Sequence, residues 1–133
     1  MEDIEDSIFT KIVKGEIPSH KVYEDALTMA FLDIHPVQPG MTVVIPKKQV
    51  EFIWDLPEED YLAVMSTVYK VAQRIREVLG VHYVGEVIEG VEIPHAHVKL
   101  IPFDTIAEFK NTPNITAEPD HDSLAEIAKK LNF

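Results

Sequence analysis

The residues best suited to chemistry gather in one stretch, PHAHVKLIP, over residues 94–102. His95, His97 and Lys99 recur at alternate positions there. Alternate side chains of a strand share one face, about 7 Å apart. The three polar groups would therefore stand in a row, with Ala96, Val98 and Leu100 turned the other way toward a core. Polar groups in the middle of an apolar strand need water, a partner or a ligand. Three uses fit the pattern. One is a sheet face open to solvent. Another is a metal site, with His35 or His82 as third ligand, although a lysine beside a divalent ion is costly. The third is imidazole catalysis: a neutral imidazole is nucleophilic near pH 7 and leaves phosphorus readily.

The surrounding sequence predicts the elements that must hold this row. Asp6 or Ser7 can cap a short helix over SIFTKIVKG, with Gly15 as its stop. HKVYEDA and TMAFLDI read as a hairpin, and MTVVIPKK as a third strand rich in β-branched residues. A long helix starts near Pro57 and runs to Leu79, where Gly80 ends it. Its expected buried stripe is Leu62, Met65, Val68 or Tyr69, Ala72, Ile75 and Leu79. HYVGEVIEG is the fourth strand and IPHAHVKLIP the fifth, separated by a tight connection at EGVE. Pro94 and Pro102 mark interrupted pairing at both ends of the fifth strand. DTIAEFK predicts a short helix, and DSLAEIAKKLNF a final amphipathic one capped by Asp120 or Asp122. Hairpins with helices packed on them make an α+β architecture with an antiparallel sheet.

Length and composition bound the function. A chain of 133 residues is expected to form one domain with a substantial core. The formal charge of −11 argues against a broad basic surface for nucleic acid, while leaving room for a small phosphate ligand at a local site. With no cysteine, disulfides and thiolate chemistry are excluded. The acidic start, MEDIEDSIF, lacks a signal peptide's basic and apolar regions, and no apolar run is long enough for a membrane helix. A cytoplasmic protein without membrane contact is expected.

Three stretches, SIFTKIVKGEIPSHKVYED, AFLDIHPVQPGMTVVIPKK and PHAHVKLIP, follow one another in an order and spacing that resemble the histidine-triad (HIT) superfamily. The resemblance covers residues 7–103. It implies the family's five-stranded antiparallel sheet with a long helix and a short N-terminal helix. Residues 104–133 would be a C-terminal helical extension packed on the nucleotide-binding domain of residues 1–103. It also implies a hydrolase or nucleotidyltransferase acting at the α-phosphate of a purine nucleotide or nucleotide conjugate. The middle histidine of the signature, His97, would be the nucleophile and form a nucleotidyl-histidine. His95 would line the phosphate. Ile8, Phe9, Phe31 and Ile34 match the apolar base pocket, and Asp33 matches the carboxylate that receives the ribose hydroxyls. No cofactor or metal is implied, and a homodimer joined through the strand region and the long helix is.

The sequence departs from the family pattern in three places. Lys99 stands where a third histidine is usual. A charged lysine cannot accept a proton, but it could anchor a phosphate oxygen and disfavour protonation of His97. Met41 replaces a histidine that supports the catalytic cluster in many members. IEGVEIPHAH shortens a phosphate-contacting loop and places Ile88 at an asparagine position. A slow enzyme or a nucleotide binder without turnover would both be consistent with these losses. Lys47 and Lys48 match a common family feature, Trp54 is expected in the core or at a dimer interface, and His20, His82 and His121 are expected at the surface.

Overall fold

The computed structural model describes residues 5–133; residues 1–4, the start of the acidic N-terminal stretch, lie outside the described residues. Ser7 caps α1 (Ile8–Val13), its side chain accepting from the Thr10 amide. A hairpin follows, β1 (Lys21–Glu24) and β2 (Thr28–Leu32), turned by Asp25, whose carboxylate receives the Leu27 and Thr28 amides. Gly40, at φ +90°, leads into β3 (Thr42–Pro46). The positive φ favours glycine there, and a β-carbon would also press on the end of the Leu79 side chain.

Helix α2 (Glu58–Leu79) follows Pro57 and ends on Gly80 in the left-handed conformation. Then come β4 (Tyr83–Val87), β5 (Val98–Phe103), α3 (Ile106–Phe109) and α4 (His121–Leu131), which Asp120 caps. Thr105 and Glu108 form a reciprocal capping box at α3. The strands make one sheet in the order β1-β2-β3-β5-β4, every neighbour antiparallel. The expected α+β architecture with a five-stranded antiparallel sheet is the one observed.

Strand alternation builds two cores, one on each face of the sheet. On the first, Val22, Ala30, Leu32, Val44, Val98 and Leu100 meet Val64, Val71 and Ile75 of α2 and Leu124, Ala128 and Leu131 of α4. On the second, Met29, Phe31, Val43 and Ile45 meet Phe9 of α1. Both faces of β2 and β3 are thus covered, and every residue of these two strands is buried. Arg74 of α2 ties down α4 by donating to the carbonyls of Leu131 at 2.9 Å and Lys130 at 3.1 Å.

Four expectations need correcting. The deeply buried stripe of α2 is Val64, Thr67, Val68, Val71 and Ile75, while Leu62 and Tyr69 are 57% and 67% exposed. Apolar residues occur at helical spacing on two sides of this helix, so periodicity alone did not choose between them. The excluded clue was Thr67, whose hydroxyl is satisfied inside by Thr28 at 2.7 Å. The fifth strand begins only at Val98, so residues 88–97 form a long connection rather than a tight one, and His95 lies in a bend and His97 in irregular chain ahead of the ladder. Pro102 lies inside β5, opposite Val84, but beyond the β3 ladder, which ends at Leu100. Its missing amide costs no bond on that side. Trp54 is 75% exposed and is not a core residue.

Candidate functional site

The second face of the sheet carries a cavity of about 460 Å³, within the usual range of ~300–1,000 Å³ for small-molecule sites. Its walls come from four regions. Ile8, Phe9 and Ile12 come from α1, and Phe31, Asp33, Ile34 and His35 from the end of β2 and the loop after it. Met41 and Val43 come from the approach to β3 and from β3 itself, and Val87, Glu89, Glu92, Ile93 and Lys99 from β4, β5 and their connection. Phe109, Asn111, Pro113 and Ile115 close the fourth side. The structure therefore brings Ile8, Phe9, Phe31, Asp33, Ile34 and Lys99, all singled out in the sequence, into one wall.

The apolar part has a clear origin. Phe31 and Val43 are cross-strand partners on the second face, and Phe9 meets Phe31 edge to face at 5.4 Å between centroids. Asp33 closes this part. Its Oδ1 accepts from the His35 amide at 2.8 Å. Burial raises its pKa above the ordinary carboxylate value, against the opposing pull of the His35 amide and the Lys99 charge. A partly desolvated carboxylate with one oxygen still uncommitted favours hydroxyl donors.

The two histidines are placed differently from the expectation of a shared, open row. His95 is fully buried. Its Nε2 lies 2.7 Å from the Pro46 carbonyl, which can only accept, so that nitrogen carries the proton. Its Nδ1 then accepts from the Ser7 hydroxyl at 2.8 Å. Thr10 Oγ1 lies farther off, at 3.3 Å, and gives its own proton to Gln49 Oε1 at 2.6 Å. Burial holds the His95 pKa below the ordinary histidine value, and a charge on His97 would lower it further, while the bond to Pro46 works the other way. His95 is not among the residues that line the cavity. With both nitrogens engaged, it is also closed to a metal ion.

His97 takes its orientation from the same strip of chain. Its Nδ1 donates to the His95 carbonyl at 2.8 Å. In the neutral ring this leaves the lone pair on Nε2, for which the described residues offer no hydrogen-bond partner. Among the described residues no fully enclosed side-chain nitrogen or oxygen lacks a partner, so Nε2 is not sealed from solvent. The ring packs edge to face on Phe9 at 5.2 Å, only 3% of the residue is exposed, and it is not among the residues that line the cavity.

Lys99 is in the wall, but its ammonium is occupied. It donates to Glu89 at 3.0 Å and lies 3.5 Å from Glu92. Burial works against its charge, but the bond to Glu89 and the attraction of both carboxylates outweigh this and raise its pKa above the ordinary lysine value. The phosphate anchor expected at this position is thus clamped by two acids of its own chain. Lys47 and Lys48 pair with Glu24 at 2.8 Å and Asp60 at 3.3 Å and take no part in the cavity. His20 and His121 hold each other at 2.9 Å, and His82 lies against Tyr83. Met41, buried, lines the cavity and receives the Val37 amide on its sulfur at 3.3 Å. No three potential metal ligands converge among the described residues.

Sequence reasoning missed four contributors. Ser7 was legible as a helix cap, which concealed its second bond to His95. Glu89 and Glu92 could have been found by asking what balances a lysine on a half-buried strand. His35 carried no sequence signal for its bond to the α3–α4 connection. The wall residues beyond position 103 carried no local signal, because only the tertiary fold returns them to the sheet.

Comparison with known proteins resolves the family. The HIT domain model matches residues 14–106, well over half of the chain. The chain is a HIT-domain protein. It is 39% identical over 107 residues to the protein Hit of Bacillus subtilis, a match covering 77% of this chain and 74% of that one. It is 32% identical over 125 residues to the adenosine 5′-monophosphoramidase HNT1 of Saccharomyces cerevisiae, covering 93% and 79% of the two chains. A HIT-like protein of Bartonella henselae, described as involved in cell-cycle regulation and crystallised with an unknown ligand, superimposes with a TM-score of 0.84 at 29% identity. That match covers 98% of this HIT-domain chain and 97% of the other.

Proposed function

We propose that the protein is a nucleotide hydrolase that cleaves purine nucleoside phosphoramidates or related conjugates at the α-phosphate, with His97 as nucleophile. The observation that carries this reading is the fixed tautomer of His97. Its Nδ1–H is spent on the His95 carbonyl, so the lone pair resides on the unpartnered Nε2, and the ring packs on Phe9, which lines an apolar cavity sized for a small molecule. The phosphoramidase activity of the yeast relative supports the substrate class. Ile8, Phe9, Phe31 and Ile34 receive the base, and Asp33 accepts from the ribose hydroxyls.

In the first step the Nε2 lone pair attacks phosphorus, and the bond from phosphorus to the leaving nitrogen or oxygen breaks as that group takes up a proton. In the second, water attacks phosphorus and gives up a proton to solvent, the P–Nε2 bond breaks, nucleoside monophosphate departs and the neutral imidazole is restored. An acceptor other than water would make the second step a transfer. Ser7 and His95 act as positioning residues: they fix the carbonyl that orients His97. Adenosine 5′-monophosphoramidate should release adenosine monophosphate, and a nucleotidyl-histidine should be trapped on acid-free quenching. His97→Ala should abolish both. Equal turnover in wild type and variant would refute the assignment.

A second reading, a nucleotide binder without turnover, draws on the near-complete covering of His97 and the clamped Lys99. It predicts that nucleotide raises the melting temperature while no phosphohistidine forms. Residues 104–133 are proposed to belong to the same folding unit, since α4 completes the first core. A homodimer is also proposed, formed where exposed Tyr69 of α2 and Tyr83 of the edge strand β4 flank one groove. Sedimentation of wild type and Tyr69→Glu tests it: a monomeric wild type would refute it.

A further inference from the structure

The connection between α3 and α4 lies beyond the residues matched by the family model, yet it supplies the fourth wall of the cavity through Asn111, Pro113 and Ile115. It is not loosely draped there. At its start, Phe109 is seated in a slot made by Gly85 of β4: a β-carbon at Gly85 would stand 2.2 Å from the Phe109 ring. Phe109 also packs on Phe103 at 5.0 Å. Gln38 Nε2 donates to the Glu108 carbonyl at 3.3 Å. Along its course, His35 Nε2 donates to the Ala117 carbonyl at 3.2 Å, which fixes the segment beside the loop that carries Asp33 and Ile34. At its end, His121 is held by His20 at 2.9 Å.

We infer that residues 111–117 form the outer wall of the nucleoside end of the site, and that Ile115 and Pro113 determine which base is accepted. This rests on the nucleotide-binding reading above. The charged groups and the apolar connection lie on different sides of the cavity. Glu89, Glu92 and Lys99, the cluster of charged groups, lie together at the β4–β5 side. The connection presents no charge to the cavity, and its proline and isoleucine side chains have no hydrogen-bond donor for a phosphate. They can offer apolar area only, and the part of a nucleotide that gains from apolar area is the flat base. Asn111 adds one amide, whose oxygen already receives the Thr112 amide at 3.0 Å, leaving its NH2 free to meet a base edge. Ile115 is 72% exposed in the unliganded protein, so a base laid against it removes surface that folding alone leaves in water.

The test uses full-length protein and three probes: adenosine monophosphate, uridine monophosphate and ribose 5-phosphate, each titrated calorimetrically. Ile115→Ala removes exposed atoms and should leave the melting temperature unchanged. It should weaken adenosine monophosphate about five-fold, from the apolar area lost at one face of the base, and leave ribose 5-phosphate unaffected. The preference for the purine over the pyrimidine should shrink. Gly85→Ala, which dislodges Phe109 from outside the cavity, should weaken the same ligand in the same selective way. Backbone amides of residues 111–117 should exchange more slowly when adenosine monophosphate is bound. Equal losses for all three probes, no loss for any, or unchanged exchange would overturn the inference while leaving the nucleotide site intact. A wild type that binds neither nucleotide would overturn the site and the inference together.

Discussion

Replacing Ser7 by alanine removes two bonds held by one oxygen. Ser7 Oγ accepts from the Thr10 amide at 3.0 Å, capping α1, and gives its proton to His95 Nδ1 at 2.8 Å. Loss of a serine cap costs about 1 kcal/mol. Loss of a buried hydrogen bond costs about the same, and more if the partner is left unsatisfied. Here Thr10 Oγ1, at 3.3 Å, offers His95 a poorer substitute, which keeps the second cost near the lower end. Together about 2 kcal/mol should be lost. An unfolding entropy of about 2.1 cal/mol/K per residue gives roughly 0.28 kcal/mol/K for 133 residues, hence a fall in Tm of about 7 °C. Ser7→Gly separates the two bonds, because glycine at a cap position costs only a few tenths of a kcal/mol relative to serine. Urea titration should place the glycine variant about midway between wild type and the alanine variant. Both variants should also reduce phosphoramidate turnover, since the His95 carbonyl that orients His97 is less firmly held. Variants within about 0.5 kcal/mol of wild type, the usual effect of an uninvolved surface change, would refute the double role of this hydroxyl.

Other outcomes follow from the same geometry. Because burial lowers the His95 pKa in the folded state, the unfolded chain binds more protons below about pH 6.5, and stability should be full above that value and fall as pH drops toward the depressed one. His95→Gln should be less stable at pH 7 but show a flatter loss between pH 7 and 5, read by urea titration at each pH; a parallel slope would count against the assignment. Glu89→Gln with Glu92→Gln should free Lys99 and tighten adenosine monophosphate two- to five-fold, a modest gain because both carboxylates are largely exposed and screened; weaker binding would show that the acids serve the ligand directly. Leu131→Ala, in the first core where α4 meets the sheet, should cost about 2–5 kcal/mol, and a loss under 1 kcal/mol by the same titration would show that α4 adds little to the fold.

Much of this arrangement was legible because short-range rules governed it. Ser7, Asp120, Gly80 and the Thr105–Glu108 box are local punctuation, and each acts where its chemistry predicts. Ile8, Phe9, Phe31, Asp33 and Ile34 were legible as a set only through the family resemblance, since spacing alone cannot separate a pocket from a core. The buried side of α2 was not legible: two apolar faces compete on that helix, and packing against β2, β3 and β5 decides. The roles of His95 and Lys99 were not legible either. His95 depends on partners far away in the chain, Ser7 and Pro46, and Lys99 on two acids of the preceding connection that only the fold brings back over the strand.

Lys99 has a kinetic consequence on the proposed reaction. Glu89 and Glu92 keep its pKa above the ordinary lysine value despite partial burial, so it remains an ammonium throughout the neutral range. A group that does not titrate near pH 7 is a poor general acid or base, since catalytic proton transfer is most efficient when the pKa lies near the working pH. The proton needed by the leaving group must then come from water or from the substrate itself. Turnover should therefore fall steeply with the basicity of the leaving amine and show no basic limb between pH 7 and 9. Lys99→His introduces a group that titrates near neutral pH. It should raise kcat for the poorest leaving groups more than for good ones, by a factor within the 10²–10⁴ typical of positioned acid catalysis. The same variant releases Glu89 and Glu92 from their partner, so KM should rise as two unbalanced carboxylates face the nucleotide. A wild-type profile with a basic limb that Lys99→Ala removes would show that the lysine exchanges protons after all.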